Sequence, residues 1–300
     1  MPIFDQKQLS VYVKRDDLIH PIISGNKWRK LSGSLRYAKA HGLKGLVSFG
    51  GAYSNHIHAL AYACQQDNLA SIGIIRGRPE YSNNFTLSMA RSWGMSLQFV
   101  SHLEYKQRAQ RDYLEQLQKT YPDHLIVPEG GSHQLALYGV AEVITELEQQ
   151  IDYQHILLPV GSGGTIAGLI KQDNNQHNIL GVAVLKQASY LNQEIENLLG
   201  RVKTSHCRWQ LLTEYHGGGY AKFSETAVQQ LVAYNKQSGI TFEPIYSGKM
   251  LLATIELAEQ NYFAAGDTII LLHTGGLQGI GGLLEQGRIA KNDWSVPNFN

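Results

Sequence analysis

Residues 155–168 read HILLPVGSGGTIAG: an apolar run breaks into Gly161-Ser162-Gly163-Gly164-Thr165, and helical spacing follows. An unbroken apolar run suits a strand buried on both faces, as in a parallel sheet. A helix that starts straight after glycines presents unpaired backbone N–H groups and the positive end of its dipole. Ser162 and Thr165 add hydroxyl donors. The segment predicts an anion site, phosphate first, with a ligand-free strand-to-helix turn as the alternative. It is not a P-loop, since no lysine follows the glycines, and Ile166 stands where G-x-G-x-x-G needs a glycine.

Two more strand-into-glycine junctions flank it, SFGGAYSNHIHALAYAC at 48–64 and LLHTGGLQG at 271–279. Strands are expected at Gly45–Phe49, Ser71–Ile75, Leu97–Val100, Leu125–Val127, Ile156–Val160, Ile179–Val184 and Thr268–Leu272. The clearest helix is Gln134–Gln150, where Leu135, Tyr138, Val140, Val143, Ile144 and Leu147 recur near the helical period. This alternation predicts an α/β fold with helices on both sheet faces. In such sheets ligands bind beyond the strand ends, where these glycines cluster. The polar stretch Glu104–Tyr121 reads as one exposed helix, and PEGGSH at 128–133 as a crossing between domains.

Composition narrows the function classes. The chain has 300 residues, 43% hydrophobic and 17% charged, enough apolar surface for a packed core of one large or two modest domains. The formal net charge is +1, with no long run of either sign, so no nucleic-acid footprint shows. Cys64 and Cys207 are too few for a disulfide framework or a cysteine-based zinc site, and are expected to be buried small apolar residues. No signal peptide or membrane-spanning run is read, so a soluble cytoplasmic protein is expected.

The remaining candidates are single residues. Ser54 and Asn55 sit where a helix opens, as N-caps or as a cradle for an anion or carboxylate. His56 and His58, two apart, face different sides of a helix and make a poor metal pair. In SGNKWRKL, residues 24–31, Lys27 and Lys30 share a helix face; a lysine that forms a Schiff base must be held where its amine can be neutral. Thr274 ends a strand, and Tyr220 and Tyr246 stand beside glycine-rich turns in HGGGYAKF and EPIYSGKM, where packing is the ordinary role of a tyrosine.

Taken together, KRDDLIHPIISGNKWRKL, SFGGAYSNH, LPVGSGGTIAGL, GGGYAKF, EPIYSGKM and LLHTGG, spanning residues 14–276, resemble the fold-type II pyridoxal-phosphate enzymes. Within them the chain resembles the 1-aminocyclopropane-1-carboxylate deaminase and D-cysteine desulfhydrase family. The resemblance implies two open, twisted, mostly parallel sheets, with pyridoxal 5′-phosphate between a large domain (1–33 and 137–300) and a small one (34–136). It makes Lys27 the Schiff-base lysine. Lys30 and the Ser162-Gly163-Gly164-Thr165 loop would hold the phosphate. Asn55 would bond the cofactor's 3′ oxygen, and Thr274 would approach the ring nitrogen. Ser54, Tyr220 and Tyr246 would lie on the reacting side. A homodimer acting on a small amino acid is implied, with no nucleic acid or membrane partner.

One departure bears on the reaction. The ring-opening deaminases carry glutamate after the substrate-side tyrosine, whereas Ser247 follows Tyr246 here. A weaker electron sink favours β-elimination from a D-cysteine-like substrate, giving pyruvate, ammonia and sulfide. The deaminase, which yields 2-oxobutanoate and ammonia, is the alternative, and a dehydratase or racemase a third. A non-catalytic pyridoxal-phosphate-binding protein is the alternative of another class.

Overall fold

The computed structural model describes residues 1–23, 25–200 and 208–294. Its strands are β1 (Ser10–Lys14), β2 (Gly45–Gly51), β3 (Ala70–Arg76), β4 (Ser96–Val100), β5 (His124–Val127), β6 (His155–Val160), β7 (Asn178–Ala183), β8 (Trp209–Leu212) and β9 (Thr268–Leu272). The helices are α1 (Pro2–Gln6), α2 (Asn26–Ala40), α3 (Asn55–Gln66), α4 (Phe85–Ser92), α5 (His102–Tyr105) and α6 (Arg111–Thr120), then α7 (Gln134–Glu148), α8 (Gly164–Asp173), α9 (Leu191–Leu199), α10 (Glu225–Ser238), α11 (Ser247–Glu259) and α12 (Gly279–Glu285).

The strands form two sheets, ordered β1-β9-β6-β7-β8 and β4-β3-β2-β5, and every pairing is parallel. The expected α/β class holds. Burial explains the apolar runs: Leu157 on β6 and Leu271 on β9 pack with Met250 and Leu251 of α11. Their neighbours Ile156, Leu158, Ile270 and Leu272 turn to the other face, against α7 and α8. Pro159 has no N–H to give, and it falls after Leu157, the last β6 residue paired with β9.

Two strands escape the sequence reading, the edge strands β1 and β8. The stretch Glu104–Tyr121 is not one helix; α5 ends at Tyr105 and α6 starts at Arg111. The break follows from anchoring, because Tyr105 is buried against Phe49 while the first turn of α6 lies in solvent. Cys64 is fully buried as expected, its thiol pushed up to about 12 by burial; Cys207 lies outside the described residues. No described helix is long and apolar enough to cross a membrane.

Helix α2 positions the site. It crosses α7 at glycine, where a Cβ on Gly139 would stand 2.2 Å from the Arg29 carbonyl oxygen. On its buried side the Arg29 guanidinium donates to both Asp16 oxygens, at 2.6 and 2.9 Å, and to both Glu146 oxygens, at 2.9 and 2.8 Å. Lys14 joins the same cluster at 2.6 Å from Glu146. Burial works against both charges, yet the hydrogen bonds from Arg29 and Lys14 bring Glu146 down to about 2, and those to Asp16 and Glu146 raise Arg29.

Candidate active site

A cavity of about 1550 Å³ is lined by residues beyond the ends of β2, β3, β6 and β9 and by the first turns of α2 and α8. Every residue that the resemblance assigns to the site lines it, from Lys27 and Lys30 to Thr274, while His58 does not. Residues as distant in the chain as Lys27 and Gly275 meet because parallel strands end at one edge.

One end of the cavity is a cradle. Lys30 is 1% exposed, and its ammonium donates to the Gly130 carbonyl and to Ser132 Oγ, both at 2.8 Å, and to Ser162 Oγ at 3.4 Å. None of these partners is charged. Burial first, then the neighbouring Lys27 charge, pulls Lys30 well below the usual lysine range. Gly163 opens α8 in the left-handed conformation, and no side chain caps the helix's first turn. A Cβ on Gly164 would stand 2.6 Å from Ser132 Oγ and 2.9 Å from Lys30 Nζ, so glycine keeps the space in front of the ammonium open. Asn26 donates to Thr165 Oγ1 at 2.9 Å, fixing the side chain on that first turn. A buried cation without a counter-ion, serine hydroxyls and a free helix N-terminus are the donor set of a phosphate site.

Lys27 stands one turn before Lys30, half-buried, with no hydrogen bond or ion pair to any described residue. Burial brings its amine down to about 8. His56 is 2% exposed beside these lysines. Ser48 Oγ spends its only proton on the Val127 carbonyl at 2.8 Å, so His56 Nε2 carries the hydrogen of the 2.8 Å bond between His56 and Ser48. His56 Nδ1 is left a bare acceptor. Burial and the charges of Lys27 and Lys30 hold the ring neutral, far below the ordinary histidine value. His58 packs edge-on against Trp93, on another side of α3 from His56.

Ser54 caps α3, accepting the Ile57 N–H at 3.3 Å, and its own O–H remains to donate into the cavity. The Asn55 amide lies against Gly276: a Cβ there would be 3.1 Å from Asn55 Nδ2. Thr274 is nearly buried at the end of β9, and its carbonyl accepts the Asn26 N–H at 3.2 Å, tying the strand end to α2. Behind it, His273 Nδ1 accepts the Gly275 N–H, and Nε2 donates to the Thr241 carbonyl.

The opposite wall carries two phenols. Tyr246 donates to the Tyr220 oxygen at 3.2 Å, and burial followed by the Tyr220 contact holds Tyr246 well above the usual phenol range. Two residues that sequence reasoning missed hold this pair. Glu243, 1% exposed, accepts the N–H groups of Ile245, Tyr246 and Ser247 at 2.7, 2.9 and 2.8 Å, and so caps α11 and fixes Tyr246. Burial outweighs these bonds and raises its carboxyl to about 7. Lys249 donates to the Gly219 carbonyl at 2.6 Å and to Val184 at 3.3 Å, which anchors the loop just before Tyr220; burial lowers it to about 8. An acid four residues before a helix-opening serine was the available signal for Glu243. PEGGSH, read as a domain crossing, also supplies the Gly130 and Ser132 partners of Lys30.

Comparison with known proteins agrees with this geometry. A family model described as pyridoxal-phosphate dependent enzyme matches residues 1–275. A Pyrococcus abyssi protein provisionally named 1-aminocyclopropane-1-carboxylate deaminase is 26% identical over 285 residues, covering 91% of this chain and 86% of its own. An Arabidopsis thaliana mitochondrial protein, named bifunctional D-cysteine desulfhydrase and 1-aminocyclopropane-1-carboxylate deaminase, is 26% identical over 95% of this chain and 77% of its own. A crystal structure of an ACC deaminase homologue superposes with a TM-score of 0.78 at 26% identity, covering 95% of this chain and 90% of that one. The chain is a member of the pyridoxal-phosphate dependent enzyme family, and pyridoxal 5′-phosphate is its cofactor.

Proposed function

We propose that the enzyme eliminates the β-substituent of a small amino acid, D-cysteine being the first candidate, to give pyruvate, ammonia and sulfide. The observation that carries this reading is the orientation of Ser247. Its N–H and hydroxyl both turn to Glu243, at 2.8 and 3.2 Å, and the Glu243 carboxylate is itself engaged by α11 amides. No free carboxylate stands after Tyr246 to strengthen an electron sink, and elimination of a good leaving group asks less of that sink than opening a cyclopropane.

The residues fit the cofactor. Lys30, Ser132, Ser162 and the first turn of α8 would hold its phosphate, Asn55 and Thr274 would flank its ring, and Lys27 would bond it. When bound, pyridoxal phosphate stabilises negative charge developing at the substrate α-carbon. The chain supplies the rest. Burial lowers the Lys27 amine to about 8, which favours the neutral form that can accept the substrate α-proton. Ser54 O–H and the start of α3 face the substrate carboxylate. Because Tyr246 donates to Tyr220, the Tyr220 proton is left for the substrate side. The two sheets are read as the two domains, divided near residues 33 and 136, and a homodimer as the assembly.

The test is to record the visible spectrum of purified protein and then add D-cysteine. A band that shifts while sulfide and pyruvate appear supports the reading. Release of 2-oxobutanoate from 1-aminocyclopropane-1-carboxylate, with D-cysteine inert, would replace it by the deaminase, the second activity in the Arabidopsis relative's name. Cofactor binding without turnover of either would leave a non-catalytic binder. Lys27→Ala is expected to fold, to retain no borohydride-fixable cofactor and to lose about 10⁴-fold in kcat; a borohydride-fixed adduct in that variant would reassign the lysine.

A further inference from the structure

We propose that Arg76 is a receptor for a negatively charged side-chain group of the substrate, so that the site selects amino acids with an anionic β-substituent. This rests on the amino-acid reading above and narrows its substrate class. Arg76 ends β3, directly beside Gly51 at the end of β2. Its Nη2 lies 3.6 Å from where a Cβ on Gly51 would be, so the guanidinium reaches over the strand into the cavity it lines.

The Arg76 guanidinium has no hydrogen bond or ion pair to any described residue. The other charges near it are engaged. Glu129 spends one oxygen on Tyr105 O–H, at 2.8 Å, and the other on Arg108 Nε, at 2.6 Å. Arg111 pairs with Glu115 at 2.7 Å. Glu194, a further carboxylate on the wall, forms no pair with Arg76. Arg76 therefore presents an unpaired cation, backed at 5.4 Å by the Tyr105 ring, in the cavity that Tyr220 also lines.

The cofactor phosphate has its own cation in Lys30, at the cradle. The α-carboxylate has Ser54 and the first turn of α3, a donor set that needs no additional full charge. What remains for Arg76 is a second anion on the substrate: a thiolate, carboxylate, sulfonate or phosphate carried at Cβ. The same guanidinium would stabilise a leaving group that departs with the bonding pair.

Aspartate and asparagine differ almost only in side-chain charge, and neither carries a good β-leaving group, so they probe binding without turnover. Each enantiomer is titrated into holoenzyme by calorimetry. Wild type is expected to bind the favoured enantiomer of aspartate about fivefold more tightly than asparagine, and Arg76→Gln to erase the difference while leaving asparagine unchanged. Arg76→Lys, which keeps a charge, should retain part of the preference and controls for a folding defect. Equal binding of the two ligands by wild type would overturn the proposal. So would a preference that survives in Arg76→Gln. Equal weakening of both ligands in that variant would place Arg76 at the α-carboxylate instead and overturn the side-chain assignment. A charge preference in an enzyme that eliminates nothing would sink the elimination reading alone.

Discussion

Arg29 and Lys30 are neighbours on α2, both nearly inaccessible, in opposite electrostatic surroundings. Arg29 is gripped by two carboxylates, and Lys30 meets only a carbonyl and two hydroxyls. Burying a charge is costly unless it is compensated. Arg29 is compensated inside the protein, so its role is to hold the helix against α7 and the loop after β1. Lys30 is left uncompensated, which is sensible only where the missing negative charge arrives with a ligand. A single step along the helix thus separates a clamp from a receptor, and the partner's charge, rather than burial, tells them apart.

The sharpest way to break this comparison is to remove each cation in turn. Arg29→Met leaves buried Asp16 with Lys14 alone, 3.3 Å away, and should lose about 3 kcal/mol of unfolding free energy in urea. Lys30→Met removes an uncompensated charge, so apo-protein should stay within about 1 kcal/mol of wild type, while affinity for the cofactor falls about 100-fold. Equal destabilisation by the two variants would dissolve the distinction.

Lys249 extends the comparison to the far wall, since it too is a buried ammonium on carbonyls, yet both its partners are backbone. It should behave as an anchor and not as a receptor. Lys249→Met is expected to lower kcat roughly tenfold through the Tyr220 loop, with cofactor affinity and KM little changed. A loss of cofactor affinity instead would put Lys249 with Lys30.

The smallest effect lies on the acid limb of stability. The folded carboxyl of Glu146, at about 2, is below its unfolded value of 4.5. Between those values the unfolded chain binds more protons, so stability rises with pH across that window. The contribution is complete above 4.5 and is lost as pH falls through 2. Screening at this partly exposed group keeps the slope shallow. Urea midpoints measured from pH 2 to 5 should show that slope in wild type and a shallower one in Arg29→Met, where Lys14 alone still pairs with Glu146.

The features legible in the sequence were those written in consecutive residues. Central strands announce themselves as apolar runs, and 161–165 reads as a glycine loop wherever it falls. Edge strands do not: β1, SVYVK, alternates exposed and half-buried positions, so no continuous run marks it. The Arg29 clamp was invisible because its partners lie 13 and 117 residues away. The roles proposed for Lys27 and Lys30 could not be derived from two lysines on one helical face; the resemblance suggested them, and their burial among uncharged partners supports them. Glu243 and Lys249 sit inside a segment singled out for its tyrosine, and an acid that caps a helix looks like any polar loop residue until the fold turns amides towards it.

The contact of α2 with α7 at Gly139 has a consequence for how such a site can be tuned. With only the small Ser32 hydroxyl beside the Arg29 carbonyl at that point, the two helices are keyed closely together, and both lysines ride on the keyed helix. A single added methyl at residue 139, on a helix that contributes nothing to the cavity wall, would shift reagent and receptor together and preserve their spacing. Variation at that crossing would re-aim the two lysines as a block, a route to altered specificity that replaces no reactive group.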